Sequence, residues 1–156
     1  MEAVIFIGIQ GSGKTSFYRQ RFLDTHVRVS LDLLNTRHRE QVFFQACLDS
    51  GQRFVVDNTN LTVADRARYI GPAKAAEFRV IGYWFESELR EALRRNKQRA
   101  GEAEVPVAAV VSALKRLEPP ELKEGFDELY VVSRDENDQF IVSARSGEEP
   151  AARKPR

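Results

Sequence analysis

Apolar residues fall along this chain in short unbroken runs, separated by longer stretches of mixed character. Ala3–Ile7 (AVIFI) is such a run, rich in branched side chains, and it stops at Gly8. A run of this length bounded by a turn signal predicts a strand buried on both faces. Val27–Ser30, Phe54–Asp57, Phe78–Phe85 and Leu129–Val132 repeat the pattern, and Phe140–Val142 adds a candidate sixth strand at an edge. The intervening stretches predict helices. KTSFYRQRFL follows the first glycines. Asp32 opens a helix to about Asp49, with Val42, Phe43, Ala46 and Cys47 spaced for one face and Gly51 as its stop. Thr62 caps a helix that Gly71-Pro72 must interrupt or kink. Ser87 caps a basic helix, AGEAE is a polar break, and Pro106 opens a helix over Val107–Leu117. Strands alternating with helices, and apolar on both faces, predict an α/β fold: a central parallel sheet of about five strands with helices on both faces. There is no internal repeat. A single domain is expected over residues 1–143, with 144–156 a disordered tail of Gly, Pro, Glu and Arg.

Composition changes this picture little. The 156 residues are 42% hydrophobic and 30% charged, as expected of one domain with a real core. A net charge of +1 means that global charge does not announce nucleic acid. Charge is uneven, however. REALRRNKQR, residues 90–99, sets five cations against Glu91, and residues 118–128 are acidic. The single cysteine, Cys47, rules out an internal disulfide and fits a reducing cytosol, so a cytoplasmic location is expected. The first apolar run is too short for a signal peptide or a membrane span, so no membrane partner is expected.

GIQGSGKT, Gly8 to Thr15, changes the picture most. It matches G-x-x-x-x-G-K-[ST] and lies between a predicted strand and a predicted helix, the context that gives the motif its meaning. Glycines let backbone N–H groups turn inward around phosphate oxygens, and a helix N-terminus adds partial positive charge. The expected P-loop set is Gly8, Gly11, Ser12, Gly13, Lys14, Thr15 and Ser16, with ATP and Mg²⁺ as cofactors. Lys14 would reach the β- and γ-phosphates. Thr15 would ligate Mg²⁺, with Asp57 at the end of the third strand acting through water. The bland reading is a glycine-rich turn with an exposed lysine. Asn58 follows Asp57 where enzymes that activate water carry glutamate, and NKQR at Asn96 ends in Arg99 where guanine readers have aspartate. Both points favour a compact kinase acting on a substrate hydroxyl.

Such an enzyme needs a base near that hydroxyl and positive charge over the transferring group. Asp32 follows the second strand at the rim where ligands bind in an open α/β sheet. It reads as that base or as a helix N-cap. Arg99 heads the candidates for a lid arginine, against a solvated helix face. Asn58 and Asn60 could orient a substrate or tie their loop, and Asn60 could equally form an Asx-turn. No His/Cys cluster has metal-ligand spacing.

GQRFVVDNTNLTVADRARYIGPAKAA resembles the kinase portion of polynucleotide kinase 3′-phosphatase and of the phage polynucleotide kinase. The matching segments are Gly8–Thr15, Asp32, Asp57–Asn60, Arg66–Tyr69, Asn96–Arg99 and Glu118–Phe126, over about residues 1–132. The resemblance implies ATP-dependent phosphorylation of a 5′-hydroxyl on DNA or RNA. It assigns Lys14 and Thr15 to ATP and Mg²⁺, Asp32 to the general base and Arg99 to the lid. The chain departs from the pattern at Asn35, where the phage enzyme has an acceptor-side arginine; Arg37 or Arg39 stands nearby as a substitute. Three functions follow: a polynucleotide 5′-hydroxyl kinase, a small-molecule phosphotransferase on the same fold, and a nucleotide-binding regulatory module with little turnover.

Overall fold

A computed structural model of the chain describes residues 1–97 and 105–145. The elements are β1 (Glu2–Ile7), α1 (Lys14–Arg21), β2 (Val27–Val29), α2 (Leu31–Leu34), α3 (Arg37–Ser50), β3 (Phe54–Val56) and α4 (Val63–Ala75). They continue with β4 (Arg79–Phe85), α5 (Leu89–Lys97), α6 (Val107–Arg116), β5 (Glu128–Arg134) and β6 (Phe140–Ala144). One sheet runs in the order β2-β3-β1-β4-β5-β6. Its first five strands are parallel, and β6 returns antiparallel to β5. The connection from β5 to β6 is too short to carry the crossover that a parallel pair needs, so it closes as a hairpin.

β1 is apolar from Ala3 to Ile7 because both of its faces are covered there. Ala3, Ile5 and Ile7 face a layer containing Phe44, Phe54, Tyr69 and Phe78. Val4 and Phe6 face the opposite layer, with Phe17, Phe22 and Phe85. The Phe6 ring lies 5.0 Å from Phe85 and 5.9 Å from Phe17, both edge-on. Because β1 lies between β3 and β4, the chain following it emerges where the connections diverge to opposite sides of the sheet. That is the crevice of an α/β fold.

Three expectations change. The helix drawn from Asp32 to Asp49 is two helices. Asn35 takes a left-handed conformation at φ 71°, and the Thr36 hydroxyl accepts the Arg39 N–H at 3.1 Å to cap α3 afresh. Asparagine tolerates that conformation and threonine is a favoured cap, so the pair forms a stop followed by a start. The buried face of α3 is Glu40, Phe44 and Cys47, while Val42 is 56% exposed. The Phe44 ring sets this phase by packing 5.5 Å from Phe54 and 5.3 Å from Tyr69. Pro72 does not end α4, which runs on to Ala75. Its missing N–H falls on the exposed face near the helix end, and Ala76 N–H still donates to the Pro72 carbonyl at 3.1 Å.

The boundary drawn at residue 143 falls inside β6, and the Arg145 N–H donates to the Leu129 carbonyl at 2.8 Å. The remainder of the expected tail, 146–156, lies outside the described residues, as does Arg99. Among the described residues no helix is long and apolar enough to cross a membrane.

Candidate functional site

The loop after β1 is built by backbone that only glycine accepts readily. Gly11 and Gly13 have φ of 77° and 97°. A Cβ on Gly8 would stand 2.9 Å from the Ser12 hydroxyl and 3.0 Å from Phe85 Cβ, so the loop packs directly on the end of β4. Gly8 N–H donates to the Thr59 carbonyl at 2.9 Å, tying the loop to the segment after β3. Lys14 folds back across it, its Nζ donating to the carbonyls of Gly8 at 2.9 Å and Ile9 at 2.8 Å. No side chain caps α1 and no acid sits in its first turn, leaving its N-terminal dipole open to an anion.

Beside this loop three elements meet: the first turn of α1 brings a hydroxyl, β2 a base and the end of β3 an acid. Asp57 is buried, and its Oδ2 accepts the Thr15 hydroxyl at 3.1 Å and Arg28 Nε at 2.7 Å. Arg28 Nη2 also donates to Thr15 Oγ1 at 3.4 Å. Thr15 and Asp57 therefore present two hard oxygen donors side by side. That set fits Mg²⁺, which takes one or two protein oxygens and keeps the rest of its shell for water and phosphate. Among the described residues no three His, Cys, Asp or Glu side chains converge into a protein-only metal cage.

Asp32 lies in the first turn of α2, exposed, and shares a pocket of about 360 Å³ with Lys14, Thr15, Arg28 and Asp57. It is not the cap. The Ser30 hydroxyl accepts the Leu33 N–H at 3.4 Å and does that work. The Asp32 carboxylate makes no hydrogen bond or ion pair among the described residues. A group left solvated at a pocket rim is available to take a proton.

Asn58 lines the same pocket, but both ends of its amide are engaged. Its Oδ1 accepts the Leu31 N–H at 2.9 Å, and its Nδ2 donates to Glu40 Oε2 at 2.6 Å and to the Tyr69 hydroxyl at 3.3 Å. Glu40, fully buried, also accepts from the Tyr69 hydroxyl at 2.7 Å and from Arg37 Nη1 at 2.7 Å. Burial, with the Glu40 carboxylate alongside, pushes the Tyr69 phenol well above its ordinary range. Arg37 thus faces Glu40 and Tyr69 rather than the pocket. Asn60 is also set apart: buried at φ 47°, it donates to the Phe6 carbonyl at 2.8 Å. Of the residues named from sequence as substrate contacts, only Asn58 reaches the pocket.

Arg28 and Arg19 line the pocket and were not singled out from sequence. Arg28 left a signal: it interrupts Val27 and Val29 in a strand otherwise apolar, so its charge had to meet a partner beyond the strand end. On the other flank of the loop, the β5–β6 hairpin and α5 border a cavity of about 710 Å³. There the Arg134 guanidinium stacks 4.1 Å over the Phe140 ring, and a Cβ on Gly13 would collide with it. Six carboxylates, Glu86, Glu88, Glu91, Asp135, Glu136 and Asp138, line that cavity.

The family model described as AAA domain matches residues 33–120, more than half of the chain and beginning beyond the glycine loop. Several solved structures share the architecture. A gluconokinase from Sinorhizobium meliloti is 16% identical, with a TM-score of 0.60 over 86% of this chain and 84% of that one. Kti12 from Chaetomium thermophilum, solved with ADP-AlF3, is 18% identical, with a TM-score of 0.61 over 87% and 92%. The AvrRxo1-ORF1:ORF2 structure with ATP is 15% identical, with a TM-score of 0.66 over 90% of this chain and 57% of that one. At these identities the likeness is one of fold, and the fold is that of the P-loop NTPases.

Proposed function

The chain belongs to the AAA domain family, and on that premise we propose that it is an ATP-dependent kinase whose acceptor is the 5′-hydroxyl end of DNA or RNA. The observation that carries the reading is the shared pocket. A loop suited to phosphates, two oxygen donors suited to Mg²⁺ and a solvated carboxylate face one space of about 360 Å³. In this reading Lys14 and the α1 N-terminus hold the phosphate oxygens of ATP. Thr15 would hold Mg²⁺ directly and Asp57 would hold it through water. Bound there, Mg²⁺ would neutralise charge on the β- and γ-phosphate oxygens. Asp32 takes the proton of the acceptor hydroxyl as that oxygen bonds to the γ-phosphorus and the bond to the β-phosphate oxygen breaks. Asn58, engaged by Leu31 and Glu40, offers no carboxylate to activate water, which supports transfer over hydrolysis. Arg99 remains the proposed lid arginine. The polynucleotide acceptor itself rests on the motif resemblance.

Transfer of labelled γ-phosphate to an oligonucleotide with a free 5′-hydroxyl tests this. Lys14→Ala should abolish transfer, and Asp32→Ala should lower kcat by roughly 10²–10⁴-fold. Near wild-type transfer by Asp32→Ala removes the base assignment. A second reading, a small-molecule kinase, draws support from the modest pocket volume and from the likeness to a gluconokinase. Nucleotide binding without transfer to any DNA or RNA end would favour it. Salt separates the two further, since phosphate contacts make nucleic-acid binding fall steeply as salt rises.

A further inference from the structure

Arg28 lies where the reading above needs a metal. Its Nε donates at 2.7 Å to Asp57 Oδ2, the same oxygen that accepts the Thr15 hydroxyl at 3.1 Å. Its Nη2 reaches Thr15 Oγ1 at 3.4 Å. The Asp57 side chain is 2% exposed and that of Arg28 23%. A carboxylate this buried must be paired, and Arg28 supplies its counter-charge. Guanidinium does not lose its proton in proteins, so the charge is permanent. A divalent cation bound at the Thr15 hydroxyl would lie against that charge, and like charges a few ångströms apart repel strongly in a part-buried site.

We infer that Arg28 is the resident counter-cation of Asp57, and that it competes with the divalent metal for the Thr15–Asp57 oxygens. This rests on the reading of the glycine loop as a Mg²⁺·ATP site. Arg28 keeps Asp57 neutralised and aimed while the site lacks metal. A metal held by Thr15, with one of its waters on Asp57, meets the guanidinium head at both oxygens and must push it aside, so the residue raises the metal concentration at which the site fills. It is a positioning residue and need not touch either substrate.

The test compares wild type, Arg28→Gln and Arg28→Lys in the full chain with two readouts. One is the thermal unfolding midpoint in EDTA and in rising MgCl2 without nucleotide. The other is the Mg²⁺ concentration for half-maximal binding of a fluorescent ATP analogue. Arg28→Gln should need at least about fivefold less Mg²⁺, the low end of coupling between two ligands of one protein. It should also melt below wild type in EDTA, with Mg²⁺ alone narrowing the gap. Arg28→Lys keeps the charge and should stay near wild type in its Mg²⁺ requirement. An Arg28→Gln protein that folds only with Mg²⁺ also supports competition. A protein that fails to fold with or without Mg²⁺ makes Arg28 a strut that metal does not replace, and overturns it. So does a Mg²⁺ requirement equal to or above wild type. If wild type binds no nucleotide at any Mg²⁺, the nucleotide reading fails, and the metal-only melting arm still decides the role of Arg28.

Discussion

Glu40 and Arg66 are both completely buried charges, one acid and one base, and they serve different parts of the molecule. Glu40 collects Arg37, Tyr69 and Asn58, and through Asn58 it fixes the Leu31 N–H one residue before Asp32. Arg66 meets Glu124 through two bonds of 2.7 and 2.9 Å, and its Nη1 donates to the carbonyls of Asn60 and Leu61. It bolts α4 to the short 3₁₀ turn at Leu122–Glu124, away from the pocket. Both clusters satisfy a charge that would otherwise be very costly to bury. Only the first reaches the proposed base. Equal burial therefore says nothing about equal function. What distinguishes the two is which backbone each one holds.

Substitutions can break this contrast. Arg66→Met should have the largest effect on stability, about 3–5 kcal/mol in chemical denaturation, because Glu124 is left charged and buried. Whatever folded protein remains should keep its KM for both substrates. Glu40→Gln should lose less, about 1–3 kcal/mol, since the amide still accepts from some of its partners. Its kcat should fall with Asp32 no longer held; an unchanged kcat would detach Glu40 from the site. Tyr69→Phe removes one donor from the same cluster and should cost about 1 kcal/mol, with a smaller fall in kcat.

The smallest effect should come from a third buried group outside both clusters. His26 bonds Glu2 at 2.9 Å and Thr25 at 2.7 Å. Burial holds its folded pKa below the ordinary 6.5, despite the pull of Glu2 in the other direction. As pH falls through 6.5 the unfolded chain takes a proton that the folded one refuses, so stability declines until the folded imidazole also titrates. His26→Gln should flatten that part of the stability profile. A profile that does not change with the substitution would assign the pH dependence elsewhere.

The parts legible in the sequence were those whose chemistry is local. Gly8–Thr15 states its own turn, and the apolar runs of β1 and β4 state their burial. The Thr15–Asp57 pairing could be anticipated because each residue ends or follows a strand that the motif places side by side. The Glu40 cluster could not. Its members come from α3, α4 and the end of β3, and a glutamate on a helix reads as solvated until those partners converge. Asn60 invites a reading as a substrate contact because it follows Asp57 and Asn58 on one strand end, yet its partner is a carbonyl 54 positions earlier. Arg66 and Glu124 each sat in a motif of the resemblance, but nothing in either motif stated that they touch. Asn35-Thr36 carried a stop and a start that a continuous apolar spacing concealed.

Arg28 has one more consequence, which concerns self-association. β2 is an outermost strand of the sheet, and an outer strand is a template on which another chain can add its own. This one is three residues long and carries a charge turned inward to Asp57. Neither property suits an invading strand, which needs length and an uninterrupted apolar face. The residue that neutralises the buried acid therefore also makes that rim of the sheet a poor seed for aggregation.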